Sequence, residues 1–133
     1  MGQSLRRICY VEDEPDIRAV ARLALTALGG FELDVSASGP EALERVPQFR
    51  PDLVLLDVMM PGMDGPEVFA RLKAMPGFSS TPVAFMTAKA QSHEVAHFRQ
   101  LGAAGVITKP FDPMTLSDTV REIWDCARAQ REA

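Results

Sequence analysis

Cysteine, histidine and the large aromatics are scarce in this chain of 133 residues, which holds two Cys, two His, one Trp and one Tyr. Cys9 lies inside an apolar run and Cys126 near the carboxyl end, matching neither a secreted disulfide framework nor a metal-binding cysteine spacing. That usage fits a reducing, cytoplasmic setting. No apolar stretch is as long as a membrane span or a signal-peptide core, so neither membrane insertion nor a targeting segment is expected. Arg6 stands where a myristoylation pattern calls for Ser or Thr. Dense basic runs are missing as well: 14 basic against 18 acidic side chains give a formal charge of -4, which argues against nucleic acid as a direct partner. There is no low-complexity tract or linker, and 47% of residues are hydrophobic. The expectation is one domain over residues 1–133, with a core of about 6–128.

What is present is alternation. Short β-rich apolar runs are followed by stretches of helical period, five times over, the pattern of a parallel sheet covered by helices on both faces. Ile8 to Val11 is the first strand; Pro15 suits the opening turn of the helix that follows, in which Ile17, Val20, Ala21, Ala24 and Leu28 recur before Gly29-Gly30. Phe31 to Ala37 alternates as a second strand with a more exposed face, and Ser38, Pro40 and Glu41 form a capping-box start for a short helix holding Ala42, Leu43 and Val46. Leu53 to Leu56 is continuously apolar, as a central strand should be, and Asp57 ends it. Pro61 to Gly65 is turn chemistry, in which Gly62 and Gly65 are expected to need backbone angles open to glycine and Asp64 to form the turn. Val83 to Met86 finishes at Thr87, and Val106 to Thr108 finishes at Lys109. Between them a helix carries Val95, Phe98 and Leu101 and closes at Gly102; Asp112-Pro113 is expected to cap a last helix striped by Leu116, Val120, Ile123, Trp124 and Ala127.

Open α/β sheets bind ligands beyond the carboxyl ends of their strands. The residues there are Glu12 and Asp13, Asp57, Thr87 and Lys109. Singly, each has an ordinary explanation as a cap or a solvated charge. Together, four strands deliver polar groups to one edge, and three carboxylates gathered there would repel unless a cation joined them. An all-oxygen set favours Mg²⁺ over zinc. A carboxylate beside Mg²⁺ can attack phosphorus, with Lys109 and the Thr87 hydroxyl supplying positive charge and a hydrogen bond to phosphoryl oxygens.

These residues resemble the response-regulator receiver family over essentially the whole chain: Glu12-Asp13, the run LLDVMMPGMDG around Asp57, Thr87-Ala88, and Lys109-Pro110-Phe111. The resemblance implies a flavodoxin-like, doubly wound (βα)5 fold with strand order 2-1-3-4-5. It implies that Asp57 accepts a phosphoryl group, that Asp13, Asp57 and the Met59 carbonyl ligate Mg²⁺, and that Glu12 contributes through a water. It makes the Met59 and Ala88 backbones phosphoryl contacts, Thr87 and Lys109 the groups that couple phosphorylation to conformation, and Lys109-Pro110 a cis peptide. Its partners would be a sensor histidine kinase or a histidine phosphotransfer protein, and a downstream protein target, since no output domain is expected. Such a domain catalyses its own phosphorylation and slow autodephosphorylation without being a conventional enzyme. Three points stand out: Glu12 replaces the more frequent aspartate, Val106 replaces the aromatic residue of many members at the switch position, and Met59 and Lys89 lie two residues beyond the acceptor and the switch threonine, where the resemblance has water reach the acyl phosphate.

Other readings compete. A small phosphohydrolase would need a further acid or base and a substrate-selecting cap; a phosphorelay shuttle or an unphosphorylated scaffold would share the fold. A flavin or nucleotide carrier would need a glycine-rich first loop where this chain is acidic. His93 and His97 could chelate zinc but have no companion ligands, and the methionines are placed as packing groups rather than as copper or haem ligands.

Overall fold

A computed structural model describes residues 4–132. Five parallel strands, β1 (Arg7–Val11), β2 (Glu32–Ser36), β3 (Leu53–Asp57), β4 (Val83–Thr87) and β5 (Gly105–Thr108), lie side by side in the order β2-β1-β3-β4-β5. The helices α1 (Pro15–Leu23), α2 (Gly39–Phe49), α3 (Gly65–Ala74) and α4 (Ser92–Leu101) fill the crossovers, and α5 (Leu116–Glu132) follows β5. This is the doubly wound (βα)5 arrangement expected from the alternation and the resemblance. Among the described residues no helix is long and apolar enough to cross a membrane.

The period of two along each strand divides the core into two layers. Ile8, Tyr10, Leu53, Leu55, Ala84, Met86 and Ile107 face α1 and α5, where Leu116, Val120 and Trp124 meet them. Cys9, Val11, Val54, Leu56, Val83 and Phe85 face the opposite layer, with Val46, Val68, Phe69, Leu72 and Phe98. β3 and β4 are buried along their whole length because both faces are covered, whereas the edge strand β2 is only partly buried. Trp124 is thus a core residue, and Phe111 packs half-buried against the same layer. In α4 only Phe98 is fully buried, and Leu101 stays 43% exposed.

Several local features depart from the sequence pattern. The first helix ends in a π-helical turn, Ala24–Leu28, that brings Ala24 and Leu25 into the core before Gly30 adopts a φ of 75°. α2 runs through Pro47 to Phe49. Its start behaves as a capping box, with the Glu41 amide donating to Ser38 Oγ at 3.3 Å and the Ala37 amide to Glu41 Oε1 at 2.6 Å. Asp112 does not cap α5 directly. Its carboxylate accepts from the Met114 amide at 2.9 Å and closes a turn, so that the helix begins only at Leu116.

The expectation that both Gly62 and Gly65 need left-handed angles is corrected for one of them. Gly62 has a φ of 78°, but Gly65 opens α3 without a positive φ. Its reason is proximity: a Cβ there would lie 2.5 Å from the Asp57 carbonyl oxygen and 2.9 Å from Val58 Cα. Asp64, as expected, has a structural role, accepting from the Glu67 amide at 3.0 Å to cap α3. Because backbone cannot yield as a flexible side chain can, Gly65→Ala should cost about 1–3 kcal/mol, the usual range for overpacking. Urea unfolding checks this: the midpoint should fall clearly, and a midpoint equal to wild type would mean that α3 does not press on the end of β3 as described.

Candidate functional site

Parallel pairing directs every strand's carboxyl end to the same edge of the sheet. The side-chain parity then selects which groups meet. Glu12 continues the register of Ile8 and Tyr10, Asp57 that of Leu53 and Leu55, and Lys109 that of Ile107, so all three project on the α1/α5 side. Glu12 is completely buried and Asp57 is 2% exposed. Lys109 Nζ lies 2.9 Å from Glu12 Oε1 and 3.1 Å from Asp57 Oδ1, so that one ammonium bridges two buried carboxylates. Asp13, half-buried, brings a third carboxylate, and one oxygen from each of Glu12, Asp13 and Asp57 lies within 4.8 Å of the others.

Glu12 is held on every side. Oε1 also accepts from the Tyr10 hydroxyl at 3.2 Å, Oε2 accepts from the Glu14 amide at 3.4 Å, and the Glu12 backbone carbonyl accepts from Arg18 at 2.8 Å. Sequence reasoning placed Tyr10 simply as an apolar strand residue and assigned Arg18 no role. The legible signal was that a tyrosine two positions before an acid in a strand shares its face.

Thr87 ends β4 with the opposite parity, that of Val83 and Phe85, and is 4% exposed. Its hydroxyl accepts from the Lys89 amide at 3.0 Å. The Thr87 carbonyl in turn accepts from the Lys109 amide at 2.9 Å, which ties the ends of β4 and β5 together. The Lys109-Pro110 peptide is cis. The Met59 side chain points to solvent, Ala88 is exposed, and Val106 packs half-buried on the Phe85 side of the sheet. His93 and His97 are exposed on α4.

The charges do not balance locally. Burial, followed by the neighbouring Glu12 carboxylate, pushes Asp57 up to about 7, and Lys109 offsets only part of this. Burial alone would also raise Glu12, but the bonds it receives from Lys109 and Asp57 outweigh burial and lower it. Burial works against the Lys109 charge, yet its two carboxylate partners hold its pKa above the ordinary lysine value. Burial and Glu12 together push the Tyr10 phenol well above its usual range, which keeps it a donor. An anionic, all-oxygen cluster of this kind fits a hard divalent cation, for which Glu12, Asp13 and Asp57 are the donor residues.

A pH dependence follows from Asp57. Its folded pKa lies above its ordinary 3.8, so between about pH 4 and 7 the unfolded chain gives up a proton that the folded chain keeps, and stability falls as pH rises. Asparagine has no proton to lose. In chelator, Asp57→Asn should therefore unfold at higher urea than wild type at pH 8, by about 1 kcal/mol or more, and the gap should close as pH falls towards 5. A constant gap from pH 5 to 8 would show that Asp57 is not the strained carboxyl.

The chain is similar to known proteins. The family model described as the response regulator receiver domain matches residues 8–121. The response regulator Rre1 of Synechocystis sp. is 33% identical over 126 residues, covering 95% of this chain and 54% of that protein. The DNA-binding response regulator MtrA of Mycolicibacterium smegmatis is 38% identical over 121 residues, covering 91% and 51%. The chain thus spans about half the length of these curated relatives. Among solved structures, the chemotaxis response regulator CheY4 of Vibrio cholerae superposes with a TM-score of 0.83 at 28% identity, covering 90% of this chain and 99% of that one. A response regulator of Chloroflexus aurantiacus gives 0.81 at 28% identity, covering 92% and 99%. The family match begins in β1, ends in α5 and takes in every strand end described above, and the chain belongs to the response regulator receiver domain family.

Proposed function

We propose that this chain is a phosphoacceptor module in which Asp57 takes a phosphoryl group from a phosphohistidine of a sensor histidine kinase or a histidine phosphotransfer protein. The observation that carries this is the buried Asp57 carboxylate at the end of the central strand, grouped with Glu12 and Asp13 and bonded to Lys109. An Asp57 oxygen attacks phosphorus, the phosphorus–nitrogen bond to the donor imidazole breaks with its electron pair leaving on the imidazole, and an acyl phosphate forms. Lys109, already 3.1 Å from Asp57 Oδ1, carries positive charge to the transferred oxygens. The Met59 and Ala88 backbones, by the resemblance, are the further phosphoryl contacts. Glu12, Asp13, Asp57 and the Met59 carbonyl are the groups to hold Mg²⁺, which when bound neutralises phosphoryl charge. An apolar groove lined by Ile17, Val20, Pro110 and Phe111 adjoins Lys109 and supports a protein as phosphodonor.

The reading extends to output. The similarity to the chemotaxis response regulator CheY4, matched over 99% of its length, supports a receiver that acts through protein contact. Thr87 is the switch: its hydroxyl moves away from the Lys89 amide, from which it now accepts, and donates to a phosphoryl oxygen, and the change passes to the loop after β4 and to α4. Val106 is stiff at χ1 and short, and it carries little of the signal.

Two outcomes test this. Labelling from acetyl phosphate should require Mg²⁺ and vanish in Asp57→Asn, while the Mg²⁺ needed for half-maximal labelling of wild type should rise as pH falls below 7, where a proton competes for Asp57. Stoichiometric labelling of the asparagine variant would remove Asp57 as acceptor. For the switch, beryllofluoride, a phosphoryl mimic, should shift backbone amides of residues 88 to 101. Thr87→Ala should still accept label but lose those shifts, and Val106→Ala should keep them; the reverse pattern would refute the route.

A further inference from the structure

Glu12 Oε1 receives two donors, Lys109 Nζ at 2.9 Å and the Tyr10 hydroxyl at 3.2 Å, and the Glu14 amide donates to Oε2 at 3.4 Å. A carboxylate oxygen accepts about two hydrogen bonds. Oε1 is therefore full as a hydrogen-bond acceptor, and its two donors fix the carboxylate that stands with Asp13 and Asp57 in the cluster. Both Tyr10 and Glu12 are fully buried, so no water competes for the phenol–carboxylate bond. The contact depends on the length of glutamate: an aspartate would draw the carboxylate back by about one carbon–carbon bond, ~1.5 Å, out of hydrogen-bond reach of the phenol.

We infer that Tyr10 is a positioning residue for cation binding, matched to the glutamate at position 12: its buried hydroxyl pins Glu12 Oε1 and so holds the Glu12 carboxylate in place beside Asp13 and Asp57, the cluster that would take the divalent cation. This rests on the proposed phosphoacceptor reading only in taking that cation to be Mg²⁺. Tyr10 touches neither cation nor phosphoryl group; it acts through Glu12. With phenylalanine in its place, Lys109 is the only donor left on Oε1, and the carboxylate is free to swing towards the ammonium that Asp57 also uses. Partners behind a metal-binding group commonly change affinity by roughly 10- to 100-fold when removed.

The test is Mg²⁺ binding to the full chain, read by the thermal shift and by the near-ultraviolet band of Tyr10, the only tyrosine. Tyr10→Phe should weaken Mg²⁺ binding roughly tenfold. In a Glu12→Asp background the same substitution should change affinity less than twofold, because the bond is already gone; a merely structural effect of removing the hydroxyl would appear in both backgrounds. Should the phenylalanine variant not fold, the wild-type tyrosine band suffices: Mg²⁺ should shift it in wild type and not in Glu12→Asp. Equal affinity of Tyr10→Phe and wild type, equal losses in both backgrounds, or a band shift that survives Glu12→Asp would each overturn the inference while leaving the acceptor role of Asp57 intact. A wild type that binds no Mg²⁺ and takes no label would instead overturn the functional reading and this inference with it.

Discussion

One ammonium shared by two buried carboxylates sets the terms for the whole site. Lys109 reaches both Glu12 and Asp57 from β5, although β3 lies two strand spacings away, about 10 Å, and β1 lies beyond it. Only a long, flexible cationic side chain spans the end of β4 in that way. Removing such charges from water is expensive, and pairing repays it only when the remaining lone pairs are also satisfied. The Tyr10 hydroxyl, the Glu14 amide and the Lys109 ammonium provide that satisfaction for Glu12. Asp57 is less well supplied and is pushed up to about 7. The imbalance favours binding: the cluster is short of positive charge, and a divalent cation would supply it.

The strand parity separates the residues of the proposed chemistry from that of the proposed switch along one edge. Glu12, Asp57 and Lys109 share the α1/α5 side, where their charges meet. Thr87 has the other parity, with its hydroxyl on the Lys89 amide and its strand packed by Phe85 against Phe69 and Phe98. A displacement of Thr87 is therefore felt first in the β4–α4 loop and under α4, whereas a change at Asp57 is felt first through Lys109. The 2.9 Å bond from the Lys109 amide to the Thr87 carbonyl joins the two at the backbone.

How much of this was legible depends on the range of the interaction involved. Asp57, Thr87 and the Glu12-Asp13 pair could be read because each terminates an apolar run, a local signal, and the parallel fold makes such ends converge. The strand order and the cis peptide came through the resemblance, since neither periodicity nor composition carries them. Tyr10 escaped notice because in the run RICYV it counts as one more apolar residue; its hydroxyl matters only once Glu12 folds back along the same face. Gly65 was read for its turn but not for its packing, because the contact with the Asp57 carbonyl belongs to two segments whose approach no local pattern reports. The late start of α5 has the same origin, a side-chain bond within the turn that competes with the helix for Asp112.

The energetics of Thr87 limit how strongly the proposed switch can act. A neutral hydrogen bond is worth about 0.5–1.5 kcal/mol net and one to a charged group about 1.5–3. Thr87 already has a partner in the Lys89 amide, so moving to a phosphoryl oxygen gains the difference and not the whole bond. That difference is about 1 kcal/mol, which biases a two-state equilibrium roughly five- to tenfold. An aromatic side chain filling the vacated volume would add apolar burial to this bias, but the residue paired with Phe85 is Val106, half-buried and shorter than an aromatic ring. On this reading the module acts as a graded selector, in which a partner's own preference for the phosphorylated face must supply the remaining discrimination.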